Sequence, residues 1–184
     1  YGFEFALKKT AGKLSGQISY GYNRSFLQIN GLNNNKRYPA HQDKPVDFSL
    51  TLDYRLKLRW TINLNILYAS GMAVSTPTAF YYYRGIQVPY YASLNNDRFP
   101  DYKRVDLSSV WRLNKKEGIF EHFITLTLYN IFSAHNYAFL YFSKTIGDDG
   151  KYYIPTDTSN PSELVTTYRY IYSFMPSLTY NLKF

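Results

Sequence analysis

Apolar and polar residues alternate along seven separate segments of this chain, which is the periodicity of a β-strand with two different faces. In one segment Ile62, Leu64 and Ile66 alternate with Asn63 and Asn65. Each segment is roughly 8 to 11 residues long, close to the ~9–11 residues that a tilted strand needs to cross the hydrocarbon layer. The apolar positions run from Tyr1 to Leu7, Leu14 to Tyr22, Phe48 to Leu56, Trp60 to Tyr68, Val105 to Leu113, Ile124 to Leu128 and Phe174 to Phe184.

Aromatic residues are frequent and stand near the ends of these segments. They make up 20% of the chain, with 21 tyrosines among 184 residues. A tyrosine ring is apolar and its hydroxyl is polar, which suits the two lipid–water interfaces of a membrane barrel. A mean hydropathy of −0.38 argues against membrane-spanning helices. The aromatic residues near segment ends on the apolar face are Tyr20, Tyr22, Trp60, Tyr68, Trp111 and Tyr180.

The connections between the segments alternate in length. Residues 8–13, 57–59 and 114–120 are short and basic, whereas 24–45, 70–103 and 133–170 are long and have no predicted strand of their own. Outer-membrane barrels have short periplasmic turns and longer external loops. The sequence therefore predicts an all-β chain that forms an antiparallel transmembrane β-barrel segment of about seven strands. Its last strand would end on the periplasmic side.

Seven strands cannot close such a barrel, because the smallest spanning barrels have ~8 strands and an open edge leaves unpaired backbone groups in lipid. We expect further strands upstream of Tyr1, or other chains, to complete the wall.

Six stretches resemble the late barrel of TonB-dependent receptors of the Bacteroidetes type. The resemblance implies that residues 1–184 are the C-terminal part of an outer-membrane β-barrel domain of ~22 strands with a plugged lumen. The plug domain, the earlier strands and the segment that contacts TonB would lie outside this chain. The stretches are 1–9 (YGFEFALKK), 35–47 (NKRYPAHQDKPVD), 67–74 (LYASGMAV), 99–106 (FPDYKRVD), 121–132 (EHFITLTLYNIF) and 176–184 (PSLTYNLKF).

The same resemblance implies a function and a set of partners. The function is active, TonB-dependent nutrient uptake across the bacterial outer membrane, with long external loops that help to capture the substrate. The partners are the rest of the barrel with its plug, TonB, lipid or lipopolysaccharide, and the barrel-assembly machinery, with a surface lipoprotein left open. Tyr180, Leu182 and Phe184 resemble the signal that this machinery recognises, although Phe184 can equally anchor the strand end at the interface. Asp53, Arg55, Asp106 and Arg112 are candidates for the wall that contacts the plug.

An aromatic cluster with one guanidinium lies in the second long connection. Such a cluster can stack on sugar rings or a planar ligand, or hold a carboxylate. The commoner role is to pack the loop upon itself, and we favour it here. The substrate-binding candidates are Tyr81, Tyr82, Tyr83, Arg84, Tyr90 and Tyr91, which follow Phe80.

Charged residues near the strand ends are expected to position loops. The aspartates Asp43, Asp47, Asp101 and Asp106 flank the cations Arg37, Lys44, Lys103 and Arg104. The net charge of +8 comes largely from the connections and follows no single face, which argues against nucleic acid as a partner.

Nothing in the sequence indicates an enzyme, a cofactor or a metal site. The chain has no cysteine, which excludes a disulfide, a thiolate ligand and a cysteine nucleophile. His41, His122 and His135 do not have the spacing of metal ligands. The Asp148-Asp149-Gly150 stretch with Asp157 is interpreted as a turn.

Two alternatives to a transporter remain open. One is a passive porin-like or structural barrel, and the other is a soluble, tyrosine-rich carbohydrate-binding β-domain. The soluble alternative predicts a compact core that seals the leucines at the centres of the segments. These leucines are Leu50, Leu64, Leu107, Leu126 and Leu178.

Overall fold

The computed structural model describes residues 1–84, 86–114, 120–144 and 164–183, and within them the side chains of 80, 82, 86, 87, 141–144 and 164–167 are not described. Fifteen strands and one short 3₁₀ helix, Asn33–Asn35, lie in these ranges. The strands are β1 (Gly2–Lys9), β2 (Leu14–Asn23), β3 (Phe26–Leu27), β4 (Tyr38–Pro39), β5 (Val46–Lys57), β6 (Trp60–Ala69), β7 (Ala73–Val74), β8 (Ala79–Tyr83), β9 (Ile86–Tyr90), β10 (Asp97–Arg98), β11 (Tyr102–Arg112), β12 (Glu121–Tyr129), β13 (Tyr137–Lys144), β14 (Leu164–Tyr170) and β15 (Met175–Lys183).

Seven long strands form one sheet in the order β1-β2-β5-β6-β11-β12-β15, with every neighbour antiparallel. These are the seven segments that the alternation predicts, so the all-β antiparallel fold class is confirmed. The strand ends differ slightly from the prediction, since Lys8 and Lys9 belong to β1 and Leu113 follows the end of β11. Within the described residues the sheet is open, with β1 and β15 at its two edges.

The strand register places the apolar positions of all seven strands on one face. Leu64 lies opposite Leu52 on one side and Leu107 on the other. Leu126 lies opposite Leu178 in the edge strand. Most polar positions lie on the opposite face, because neighbouring strands repeat the same alternation.

No second layer covers the apolar face in the described part of the chain. The buried apolar residues there are Tyr38, Ala40 and Ala73, and all three lie in long connections. None of the five leucines that a soluble core would seal is buried, and Leu178 is 73% exposed. The compact core that the soluble alternative requires is therefore not found.

The long connections contain strands of their own, so the expectation that they lack regular structure is wrong. β3 pairs with β4, β7 with β10, β8 with β9 and β13 with β14. These strands are short or pair only within one connection, and local alternation is a weak signal over two to eight residues. No helix in the described ranges is long and apolar enough to cross a membrane.

Candidate functional site

The three long connections join the strands at the same side of the sheet, because successive turns of an antiparallel meander fall at alternate ends of the strands. This side is called the loop edge below, and it is distinct from the lateral edges formed by β1 and β15. Asp43 stands at the centre of the first two connections and is only 1% exposed. Its carboxylate accepts the backbone N–H of Ser25 at 2.6 Å and Nε of Arg24 at 3.3 Å, and it pairs with Arg98. Arg98 also donates to the carbonyl oxygens of Asp43, at 2.8 Å, and Gly71, at 3.0 Å. The guanidinium of Arg98 thus joins the first long connection to the second.

The charges around Asp43 favour its ionised form. Burial alone would raise the pKa of Asp43, but the Ser25 N–H and the cations Arg98 and Arg24 outweigh it, so the pKa lies below the ordinary aspartate value. Burial would lower the pKa of Arg24, but the hydrogen bond to Tyr22 and the charge of Asp43 raise it. Asp43 and Arg24 are therefore charged over the whole neutral pH range.

Further hydrogen bonds fasten the first two long connections together. Nδ2 of Asn95 donates to the carbonyl oxygen of Pro39 at 2.7 Å. Nδ1 of His41 lies 3.0 Å from the carbonyl oxygen of Ala73, which can only accept, so the ring proton is on Nδ1. These bonds and the Asp43 network make the two connections one packed unit.

Some of the charged residues that the sequence places near the strand ends form ion pairs. Asp106 and Arg104 pair with each other, with Oδ2 and Nε 3.0 Å apart. Asp43 pairs with Arg24 and Arg98 rather than with Arg37 or Lys44. No local pattern indicates Arg98, because it lies 55 residues from Asp43 along the chain.

The polar face of the sheet carries side-chain hydrogen bonds that join three strands, β5, β6 and β11. Asn63 donates to Asp53, and the hydroxyl of Ser108 donates to Oδ1 of Asn63 at 3.2 Å. Nδ2 of Asn65 donates to Asp106 at 3.2 Å. All of these groups lie on the face opposite the leucines.

The four plug-facing candidates share this polar face. Asp53 and Arg55 lie opposite Asn63 and Thr61, and Asp106 lies opposite Asn65. Nη2 of Arg112 lies 2.8 Å from Oε1 of Glu121, in an ion pair whose angle is unfavourable for a hydrogen bond.

Arg104 is held firmly on the polar face near the loop edge. Its Nη1 donates to the hydroxyls of Tyr102, at 2.9 Å, and Tyr129, at 2.8 Å. Its guanidinium carbon lies 4.5 Å from the centre of the Tyr129 ring, a cation–π contact. The sequence predicted only a loop-positioning role for Arg104 and identified neither tyrosine as its partner. Tyr102 was detectable from its place two residues away on the same strand face.

The aromatic cluster of the second connection lies on the β8–β9 hairpin. The register places Tyr81, Tyr83 and Tyr90 on one face of it, and each ring is about half exposed. Arg84 adopts a positive φ of 50° at the turn, and its guanidinium carbon lies 5.4 Å from the centre of the Tyr83 ring. Tyr91 is also exposed, and the side chain of Tyr82 lies outside the description. Packing therefore covers only part of these rings, and the rest is accessible to a ligand.

Tyr180 and Leu182 of the expected assembly signal lie in β15, the last strand of the sheet. Tyr180 and Leu182 are exposed in the edge strand β15, on the apolar face. The hydroxyl of Tyr180 contacts Nδ1 of His122 in the neighbouring strand β12. Phe184, Lys115 and Lys116 lie outside the described residues, as do Asp157 and the turn predicted at Asp148-Asp149-Gly150. Among the described residues no group of three or more His, Asp or Glu could hold a metal ion.

No family model, curated protein or solved structure matches this chain.

Proposed function

We propose that this chain is a sector of a bacterial outer-membrane β-barrel, with the leucine-rich face toward lipid and the polar face toward the barrel interior. The observation that carries the proposal is the uncovered apolar face. A fully exposed Leu or Phe side chain costs ~1.5–3 kcal/mol relative to burial, and this face spans seven strands. Lipid chains remove that cost without a second protein layer.

The aromatic residues of this face support a membrane location. Phe3 contacts Tyr20 and Tyr22 at the edge with the long connections, with ring centres 5.8 and 5.9 Å apart. Trp60 and Trp111 stack at the opposite edge. Aromatic rings at both ends of an apolar band are typical of outer-membrane barrels.

The edges of the sheet support a larger barrel. β1 and β15 each pair with one strand only in the described part of the chain, and unpaired backbone groups in lipid cost several kcal/mol each. In the proposal the rest of the barrel supplies partners for both edges.

Within this class we propose a TonB-dependent receptor. Its plug would contact the polar face at Asp53, Arg55, Asp106 and Arg112, and the loop edge with the β8–β9 tyrosines would help to capture the substrate. The resemblance of the six sequence stretches supports this step. So do the ion pairs of Asp106 with Arg104 and of Arg112 with Glu121 on the polar face, because paired side chains present a defined surface to a plug.

Single-cysteine spin labels test the orientation of the faces, and this chain has no cysteine to interfere. We expect labels at Leu64→Cys and Leu126→Cys, in the complete barrel in bilayers, to be relaxed by oxygen, which concentrates in lipid. Their neighbours Asn65→Cys and Thr127→Cys should be relaxed by a water-soluble nickel chelate, or by neither reagent where a plug covers them. Leucine sites closed to both reagents would show protein packing and contradict the proposal.

Planar-bilayer conductance of the complete protein separates the two barrel classes. A plugged receptor should show no steady channel until urea loosens the plug, and it should bind the purified C-terminal domain of TonB. Steady open channels without TonB binding would support the passive porin-like alternative instead.

A further inference from the structure

The two tryptophans of this chain lie opposite each other at the edge of the sheet that carries the short turns. The ring centres of Trp60 and Trp111 are 6.2 Å apart, with an angle of 29° between the planes. Nε1 of Trp60 donates to Oγ of Ser109 at 2.7 Å, which also satisfies the one hydroxyl that β11 places on the apolar face. The Trp60 N–H is thus engaged within the protein and does not need water.

A groove of about 530 Å³ adjoins this pair. Its apolar lining includes Leu58 and Leu113, and Leu58 at the tip of the β5–β6 turn is 95% exposed. A leucine left this exposed at a strand connection is costly in water but favourable against acyl chains. The groove is therefore suited to hydrocarbon.

Two cations, Lys57 and Arg59, line the same groove, and no carboxylate is among the described residues that line it. Lys57 lies opposite Trp60 in the sheet. Nη1 of Arg59 donates to the carbonyl oxygen of Leu113 at 3.1 Å, which holds the guanidinium across the groove and leaves its other N–H groups for an anion. The third cation, Arg112, already pairs with Glu121.

We propose that this groove binds one anionic glycerophospholipid. Its phosphate would lie on Lys57 and Arg59, and its acyl chains would run along the Trp60–Trp111 pair. This inference rests on the proposed lipid exposure of the apolar face. The proposal goes further than an aromatic girdle, because a girdle does not discriminate between headgroups. Two cations that have no carboxylate partner among the described residues do discriminate.

Brominated lipids test the site, because bromine quenches tryptophan fluorescence only at short range. The complete barrel is reconstituted in bilayers that contain equal amounts of phosphatidylglycerol and phosphatidylcholine, with bromine on one lipid or the other. The signal of the pair is the difference between this protein and its Trp60→Phe/Trp111→Phe variant. We expect phosphatidylglycerol to be favoured at the pair by about tenfold, since each cation near the bilayer surface attracts anionic lipid.

Paired variants locate the selectivity. Lys57→Gln/Arg59→Gln should reduce the preference to about twofold or less while quenching persists. Lys8→Gln/Lys13→Gln removes the same charge near another short turn and should leave the preference unchanged. A preference lost equally in both variants would overturn the site in favour of general surface charge.

The possible failures are distinguishable. Equal quenching by both lipids would overturn the phospholipid site and leave the barrel proposal intact. If neither lipid quenches the pair, the apolar face is not in lipid and both proposals fail.

Discussion

Replacement of Asp43 by Asn should loosen the loop edge without disturbing the sheet. Asn is nearly isosteric and can still accept the Ser25 N–H, but it removes the charge that faces Arg24 and Arg98. Hydrogen bonds to charged groups contribute ~1.5–3 kcal/mol each. The side chains of Arg24 and Arg98 are 24% and 32% exposed, so in the variant they recover part of their hydration. We therefore expect the free energy of local unfolding of the loops to fall by about 2 kcal/mol.

Amide hydrogen exchange measures this loss directly. A loss of about 2 kcal/mol corresponds to roughly 30-fold faster exchange, since 1.4 kcal/mol is a factor of ten. The reporters are the backbone amides of Ala40, which donates to Ser25, and Phe99, which donates to Met72. Amides at the centre of β6 should keep their rates, because their ladder partners are untouched.

The exposed Asp47 provides the matched control, since Asp47→Asn makes the same chemical change nearby. We expect Asp47→Asn to leave the exchange rates of Ala40 and Phe99 unchanged. Unaltered loop protection in Asp43→Asn would refute the role of the Asp43 network, and so would an equal acceleration in loop and sheet.

Three more predictions concern residues in the long connections. Folding lowers the pKa of Asp43, so its ion pairs stabilise the loops fully above the ordinary aspartate pKa of ~3.9, and this stabilisation is lost only as pH falls below that value. Hydrogen-exchange protection factors of the loop amides should therefore stay constant from pH 8 to about pH 5. Asn130 is buried with a φ of 52°, and its side chain hydrogen-bonds both backbone groups of Ala134. Urea titration should show that Asn130→Gly lowers the free energy of unfolding by about 2 kcal/mol. Asn130→Ala should lower it by ~1 kcal/mol more, because a Cβ disfavours that φ. Equal losses would contradict the backbone argument. A Cβ at Gly71 would collide with the backbone of Phe99, so Gly71→Ala should accelerate hydrogen exchange of the Phe99 amide. Gly21→Ala is the control and should have no effect, because the atom nearest to its new Cβ would be 3.7 Å away.

Much of the candidate site depended on information that local sequence does not carry. The sequence indicated the β8–β9 tyrosines through their density, and the family resemblance named Asp53, Arg55, Asp106 and Arg112 as candidates for contact with a plug. It did not show that Arg104 is held between two tyrosines, that Asp43 meets Arg98, or that Trp60 lies against Trp111. Tyr129 and Arg98 lie 25 and 55 residues from their partners, so only the strand register and the loop packing bring them together.

The sequence by itself determined the seven long strands and the two faces of their sheet. Leu64 and Asn65 lie on opposite faces because successive side chains of any strand do, and this requires no knowledge of the neighbours. The lengths of the connections likewise placed the loops at one edge. Tertiary structure alone decided how the first two long connections meet, because the contacts between them join residues far apart in the chain, such as Asp43 with Arg98 and Pro39 with Asn95. The choice of those partners depends on three-dimensional fit, which a period of two residues cannot encode.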